Sequence, residues 1–200
     1  MNVRIDRLRN GSLLQAVNTR SDLALSIRAA SVLFVTVLTI IAAQVSLPLP
    51  FTPVPFTLQP MIVLLGAAAL GSRLGMSAQV LYLAAGLAGL PVFAASALPQ
   101  GFARLLGPTG GYLMSYPFAA FVTGYLAERG LDRRYLTSVV AMLAGLAVIF
   151  SFGVAWLAWG APHLGLSAAV ASGLVPFLPA DLFKVFVAAT VLPVTWKLLK

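Results

Sequence analysis

A chain of 200 residues that is 60% hydrophobic and 9% charged, with mean hydropathy +0.97, carries more apolar surface than a soluble domain of this size can bury. It belongs in a lipid bilayer, with a single helical bundle as the simplest architecture. The net charge of +8 does not argue for nucleic acid, because the basic residues stand scattered at the ends of apolar runs. Cysteine is absent, which excludes disulfides and thiolate metal sites.

Arg4, Arg7, Arg9, Arg20 and Arg28, with Asp6 and Asp22 among them, delay any apolar core until Ala29. Residues 1–28 therefore read as a cytoplasmic tail rather than a cleavable signal peptide, and residues 29–200 as one membrane domain. The first span runs from Ala29 to Val45. Pro48, Pro50, Pro53 and Pro55 then forbid regular helix in the next loop. Two short spans follow, Thr57–Leu70 and Met76–Leu90, separated by Gly71-Ser72-Arg73. A long interruption rich in Gly and Pro, residues 91–111, contains Arg104. The fourth span covers Tyr112–Ala127, the fifth Tyr135–Trp159, and between them lies a charged loop, residues 128–134. After Gly160-Ala161-Pro162-His163 the chain returns through Leu166–Leu174, breaks at Pro176 and Pro179, and completes a sixth span from Pro179 to Trp196.

The expected fold is thus all-α, a polytopic bundle of six transmembrane helices with both termini on one side. The five tail arginines, Arg73, Arg129, Arg133, Arg134, Lys197 and Lys200 fall on one face, against Arg104 on the other and Lys184 within the membrane. The positive-inside rule makes the first face cytoplasmic. The loops at 47–56 and 91–111 and the start of the last helix then face outside.

Against this apolar background the stretch Pro176-Phe177-Leu178-Pro179-Ala180-Asp181-Leu182-Phe183-Lys184 stands out. Pro179 suits a first helical turn, and the three-residue spacing puts Asp181 and Lys184 on one helix face. Ionisable groups at such depth cost several kcal/mol unless paired or wet, so a functional pocket is the default reading. An internal ion pair that only staples the helix is the alternative. Irregular backbone survives at membrane depth only under a cover of protein or water, which points to an outward cavity roofed by loop 91–111.

Other candidates are weaker alone. Gly107-Pro108-Thr109-Gly110-Gly111-Tyr112 leads into the fourth span, either as a helix-start anion site or as a simple turn. Gln59 reads as a ligand group or as a helix–helix hydrogen bonder. Tyr82 fits a binding site or an interfacial belt. Arg104 is either an exposed loop charge or a clamp for a carboxylate. Phe51, Phe56, Phe93 and Phe102 offer apolar walls. No metalloprotease, nucleotide-loop or cysteine-nucleophile motif occurs, and Asp181 is the single acid inside a span, so no enzyme and no cofactor are expected.

Four motifs in register carry a resemblance. They are Pro53-Val54-Pro55-Phe56-Thr57-Leu58-Gln59-Pro60; Tyr82-Leu83 with Gly86 and Gly89-Leu90-Pro91-Val92-Phe93; Gly107 to Tyr112; and Asp181-Leu182-Phe183-Lys184. In this order and spacing, from Gln44 to Val194, the chain resembles the BioY family, the biotin-binding S components of energy-coupling factor (ECF) transporters. The resemblance implies a six-helix S-component fold in the bacterial cytoplasmic membrane and capture of biotin from outside. It also implies partnership with a transmembrane T component and two cytoplasmic ATPases, with a homo-oligomer left open. Carried over by position, the substrate-binding residues are Asp181, Lys184, Gln59, Tyr82, Phe93 and the glycine motif with Gly107, Thr109, Gly110 and Tyr112, with Arg104 as carboxylate clamp. The Ala-x-x-x-Ala pair that S components carry in their first helix is missing; Ser26/Ala30 and Ala42/Ser46 are the nearest substitutes. An S component for another small vitamin, or a membrane assembly subunit, are the alternatives.

Overall fold

The computed structural model describes residues 12–14, 24–95, 98–160 and 162–198. Most of the expected tail lies outside the described residues; Ser12 is buried, and Leu13 and Leu14 pack on the core.

Helix α1 spans Ala24–Gln44, and a short antiparallel ribbon follows, β1 (Ser46–Leu47) pairing with β2 (Phe56–Thr57) in the register Ser46 to Thr57. The ribbon closes the proline loop that the sequence keeps out of helix. Then come α2 (Gln59–Leu70), α3 (Ser72–Leu87), the short α4 (Phe102–Leu106), α5 (Gly110–Glu128) and a 3₁₀ turn at Leu131–Arg133. α6 (Tyr135–Trp159), α7 (Leu166–Gly173) and α8 (Leu178–Leu198) complete the chain. The protein is mostly helical, as expected. Among the described residues, three helices are long and apolar enough to cross a bilayer: α1 over Leu25–Gln44, α6 and α8.

The fifth span has the expected bounds. α3 does not: it starts at Ser72 rather than Met76 and ends at Leu87 rather than Leu90. Its start is fixed from outside the segment, because Glu128 accepts from the Ser72 N–H at 3.1 Å and from its hydroxyl at 2.9 Å. Its end is closed by Gly89, which takes φ +89° while Leu90 N–H donates to Ala85 O at 3.2 Å. That geometry satisfies the carbonyls left over at a helix end, and glycine adopts it without steric cost.

α5 is the central helix, packed along α6 and against α2 and α3. Small residues allow the approach: Gly124 abuts the Gly71–Ser72 backbone, and Gly145 seats the Thr123 hydroxyl and Leu64. Pro117 in α5 and Pro193 in α8 each remove one backbone donor inside a helix, which a bundle tolerates because neighbouring helices cover the freed carbonyl. At the far end of α5, buried Asp132 accepts from Trp196 Nε1 at 2.6 Å and ties α8 to the 3₁₀ turn. Burial pushes the Asp132 carboxyl above its ordinary value, opposed by the Trp196 bond and by Arg133.

Candidate functional site

The starts of α2, α5 and α8 and the last half of α6 converge at one end of the bundle, under the proline loop and residues 91–95 and 98–109. They line a partly open cavity whose walls are mostly apolar with a few polar groups, the make-up of a small-molecule site.

At its base lies the ion pair. Lys184 Nζ donates to Asp181 Oδ1 at 2.7 Å and to the Thr57 carbonyl at 2.6 Å, and sits 3.7 Å from the centroid of the Phe56 ring. Both residues are buried, at 5% and 6% exposure, so the pair is held in a medium where each charge needs its partner. Asp181 Oδ2 makes no hydrogen bond among the described residues and is not sealed in protein. It opens to the cavity as a free acceptor.

Gln59, the first residue of α2, also lines the cavity. Its Nε2 donates to the Tyr82 hydroxyl at 2.6 Å, and that hydroxyl donates in turn to Val92 O at 3.4 Å. With the phenol proton directed to Val92, the phenol oxygen accepts from the amide, and in this orientation Gln59 turns its other end to the cavity. The carbonyl Oε1 is the end left for a ligand. Tyr82 itself does not line the cavity; it orients Gln59.

Phe93 lines the wall, 2% exposed, edge-on to Tyr82 with ring centroids 5.4 Å apart. Its ring lies directly on Gly86, where a Cβ would overlap it. That explains a glycine in the last turn of α3: only a bare Cα leaves room for the ring. Gly86→Ala is expected to cost about 1–3 kcal/mol through overpacking, read as earlier melting. Unchanged melting would show that Phe93 leaves its seat freely.

Arg104 is no surface charge. Carried on α4, it is 3% exposed, lines the cavity, and its Nε has no partner among the described residues. A buried guanidinium with free donors is a seat for an anion, and its planar fork suits a carboxylate.

The glycine motif resolves into packing. A Cβ on Gly110 would collide with the Leu105 carbonyl and one on Gly111 with Trp156. Gly110 N–H is spent on Gly107 O, and the Gly107 carbonyl also accepts from Trp156 Nε1 at 2.9 Å. Gly107 and Gly110 thus set the turn, while Thr109 and Tyr112 line the cavity. Tyr112 is held by its hydroxyl, which donates to Gly173 O at 2.7 Å at the end of α7.

Four contributors escaped the sequence reading: Thr57, Tyr116, Trp156 and Phe177. Tyr116 follows Tyr112 by four and Phe177 precedes Asp181 by four, so helical spacing could have found both. Thr57 acts through its backbone carbonyl, which no side-chain pattern announces.

The sequence profile of the BioY family matches residues 15–200. The chain belongs to the BioY family. It is 40% identical over 156 residues to the biotin transporter BioY of Thermotoga maritima, covering 78% of this chain and 88% of that relative. It is 35% identical over 164 residues to the biotin transporter BioY of Rhizobium etli, covering 78% of this chain and 86% of that one. A 2.1 Å crystal structure of the S-component for biotin from an ECF-type ABC transporter matches it with a TM-score of 0.79 at 26% identity, covering 90% of this chain and 95% of that one. In this BioY-family chain, therefore, the four sequence motifs are four walls of one cavity. Each motif places at least one residue on that cavity or directly behind it.

Proposed function

We propose that this chain captures biotin from outside the bacterial cytoplasmic membrane, as the substrate-binding S component of an ECF-type transporter. The observation that carries the reading is the buried Asp181–Lys184 pair at the base of an open cavity in a BioY-family chain. Biotin's ureido ring offers two N–H donors and one carbonyl. Asp181 Oδ2 and Gln59 Oε1 are two free acceptors for the donors, and Lys184, whose remaining proton is spent on no protein oxygen among the described residues, serves the carbonyl. Phe93 and Phe177 give the thiophane ring and aliphatic tail apolar walls. Arg104 takes the carboxylate near the mouth.

Titrating the purified protein with biotin and a panel of other small vitamins tests this directly. Sub-micromolar binding of biotin alone supports it. Binding of a different vitamin would transfer the site to that substrate, and failure to bind any would leave the ion pair a helix staple.

The proposed topology has six spans with both termini in the cytoplasm, supported by the distribution of Lys and Arg. A reporter fused after Lys200 is expected inside and one inserted at Pro99 outside; the reverse pattern would overturn the charge argument and the outward-facing mouth with it.

The proposed partners are a transmembrane T component and two cytoplasmic ATPases. Of the two small-residue pairs, Ser26/Ala30 lies on α1 and is exposed, whereas Ala42 is 5% exposed and packed inside and its partner Ser46 lies beyond the helix in β1. Ser26/Ala30 is thus the pair free to receive a neighbouring helix.

A further inference from the structure

Tyr116 belongs to no sequence motif and sits in the middle of α5, one turn below Tyr112. It is 3% exposed, and its ring stacks on Tyr82 with centroids 6.4 Å apart and planes inclined by 29°. Its hydroxyl has no hydrogen-bond partner among the described residues, yet it is not among the sealed polar atoms, and the residue lines the cavity. Buried phenols ordinarily find a partner, because an unmade bond costs more than the bond itself returns. Its two tyrosine neighbours satisfy theirs within the protein, Tyr82 on Val92 O and Tyr112 on Gly173 O. The Tyr116 hydroxyl is kept for something that enters the cavity.

The other polar groups there say what. Asp181 Oδ2 and Gln59 Oε1 are acceptors, and Lys184 has committed two of its three protons to Asp181 and Thr57. A ureido carbonyl has two lone pairs, and Lys184 can serve one. We infer that Tyr116 is a specificity-determining residue whose hydroxyl donates the second hydrogen bond to the ligand's ureido carbonyl. The inference rests on the biotin reading above and adds to it a complete donor–acceptor match: two acceptors for two N–H groups, two donors for one carbonyl. A ring lacking that carbonyl would leave the hydroxyl unpaired, which is how a buried polar group rejects a close analogue.

Tyr116→Phe removes the hydroxyl and nothing else, and since that hydroxyl bonds to no protein group the ligand-free melting curve is expected to stay in place. The test compares the unaltered protein and Tyr116→Phe, each titrated with biotin and with 2-thiobiotin, whose thiocarbonyl sulfur is a far weaker hydrogen-bond acceptor than the carbonyl oxygen and is no donor. Biotin affinity is expected to fall about three- to tenfold in the variant, with 2-thiobiotin little changed, so that the preference for biotin narrows. Equal losses for both ligands would assign Tyr116 to packing alone and overturn the inference, as would an unchanged biotin affinity. If the unaltered protein binds no biotin, the fault lies with the substrate reading, and the same series shows it.

Discussion

Asp181→Asn is expected to weaken biotin binding by about 2–4 kcal/mol, or roughly thirty- to a thousandfold, while leaving the fold nearly intact. The asymmetry follows from the geometry of the pair. Asn keeps an oxygen for the Lys184 ammonium, so the internal bond at 2.7 Å has a successor. It then turns an NH₂ group toward the cavity, where Asp181 Oδ2 presented an acceptor, and two donors face each other. Lys184→Met behaves differently. It strands the Asp181 carboxylate and the Thr57 carbonyl in a buried site, so it should lower the melting temperature as well as the affinity. Affinity by titration and a ligand-free melting curve separate the two readings. If Asp181→Asn melts early and binds biotin normally, the pair is a staple and the pocket lies elsewhere.

Replacing Arg104 with Gln should cost about 1.5–3 kcal/mol, because a charge-assisted hydrogen bond to the carboxylate is lost. Burial is what makes this large: Arg104 is 3% exposed, and an exposed charge in water would contribute far less. The loss is expected for biotin and not for its methyl ester, which carries no charge for Arg104 to meet. Since Arg104 Nε already lacks a protein partner, the variant should fold as well as the parent. An equal loss for acid and ester would mean that Arg104 shapes the 91–109 loop instead of binding the ligand.

Much of this site is legible in the sequence, for physical reasons that differ residue by residue. Asp181 and Lys184 were legible because charge inside an apolar run is expensive and a three-residue step on a helix brings two side chains together. α6 was legible to its ends because Arg134 and Gly160 bound a long apolar run. α3 was not, since its first turn is fixed by Glu128, a side chain 56 positions away in sequence. Arg104 could be placed in a loop but not inside the protein, as burial depends on how α4 folds back over the cavity. Trp156 gave no signal at all; a tryptophan near a helix end ordinarily marks the membrane interface, and here it holds the Gly107 carbonyl. The glycines were legible as special backbone but not as packing: nothing in the order of residues says that Phe93 lies on Gly86 or Trp156 on Gly111.

Biotin is expected in one orientation, with its ring system between Asp181, Gln59 and Tyr116 and its carboxylate near Arg104. A structure of this protein determined with biotin bound tests it most directly. The expected result is the ureido nitrogens within hydrogen-bond distance of Asp181 Oδ2 and Gln59 Oε1, the ureido oxygen against Lys184 and Tyr116, and the carboxylate on the Arg104 guanidinium. Biotin lying reversed, with its carboxylate on Lys184 and its ring at Arg104, or bound outside this cavity, would contradict it.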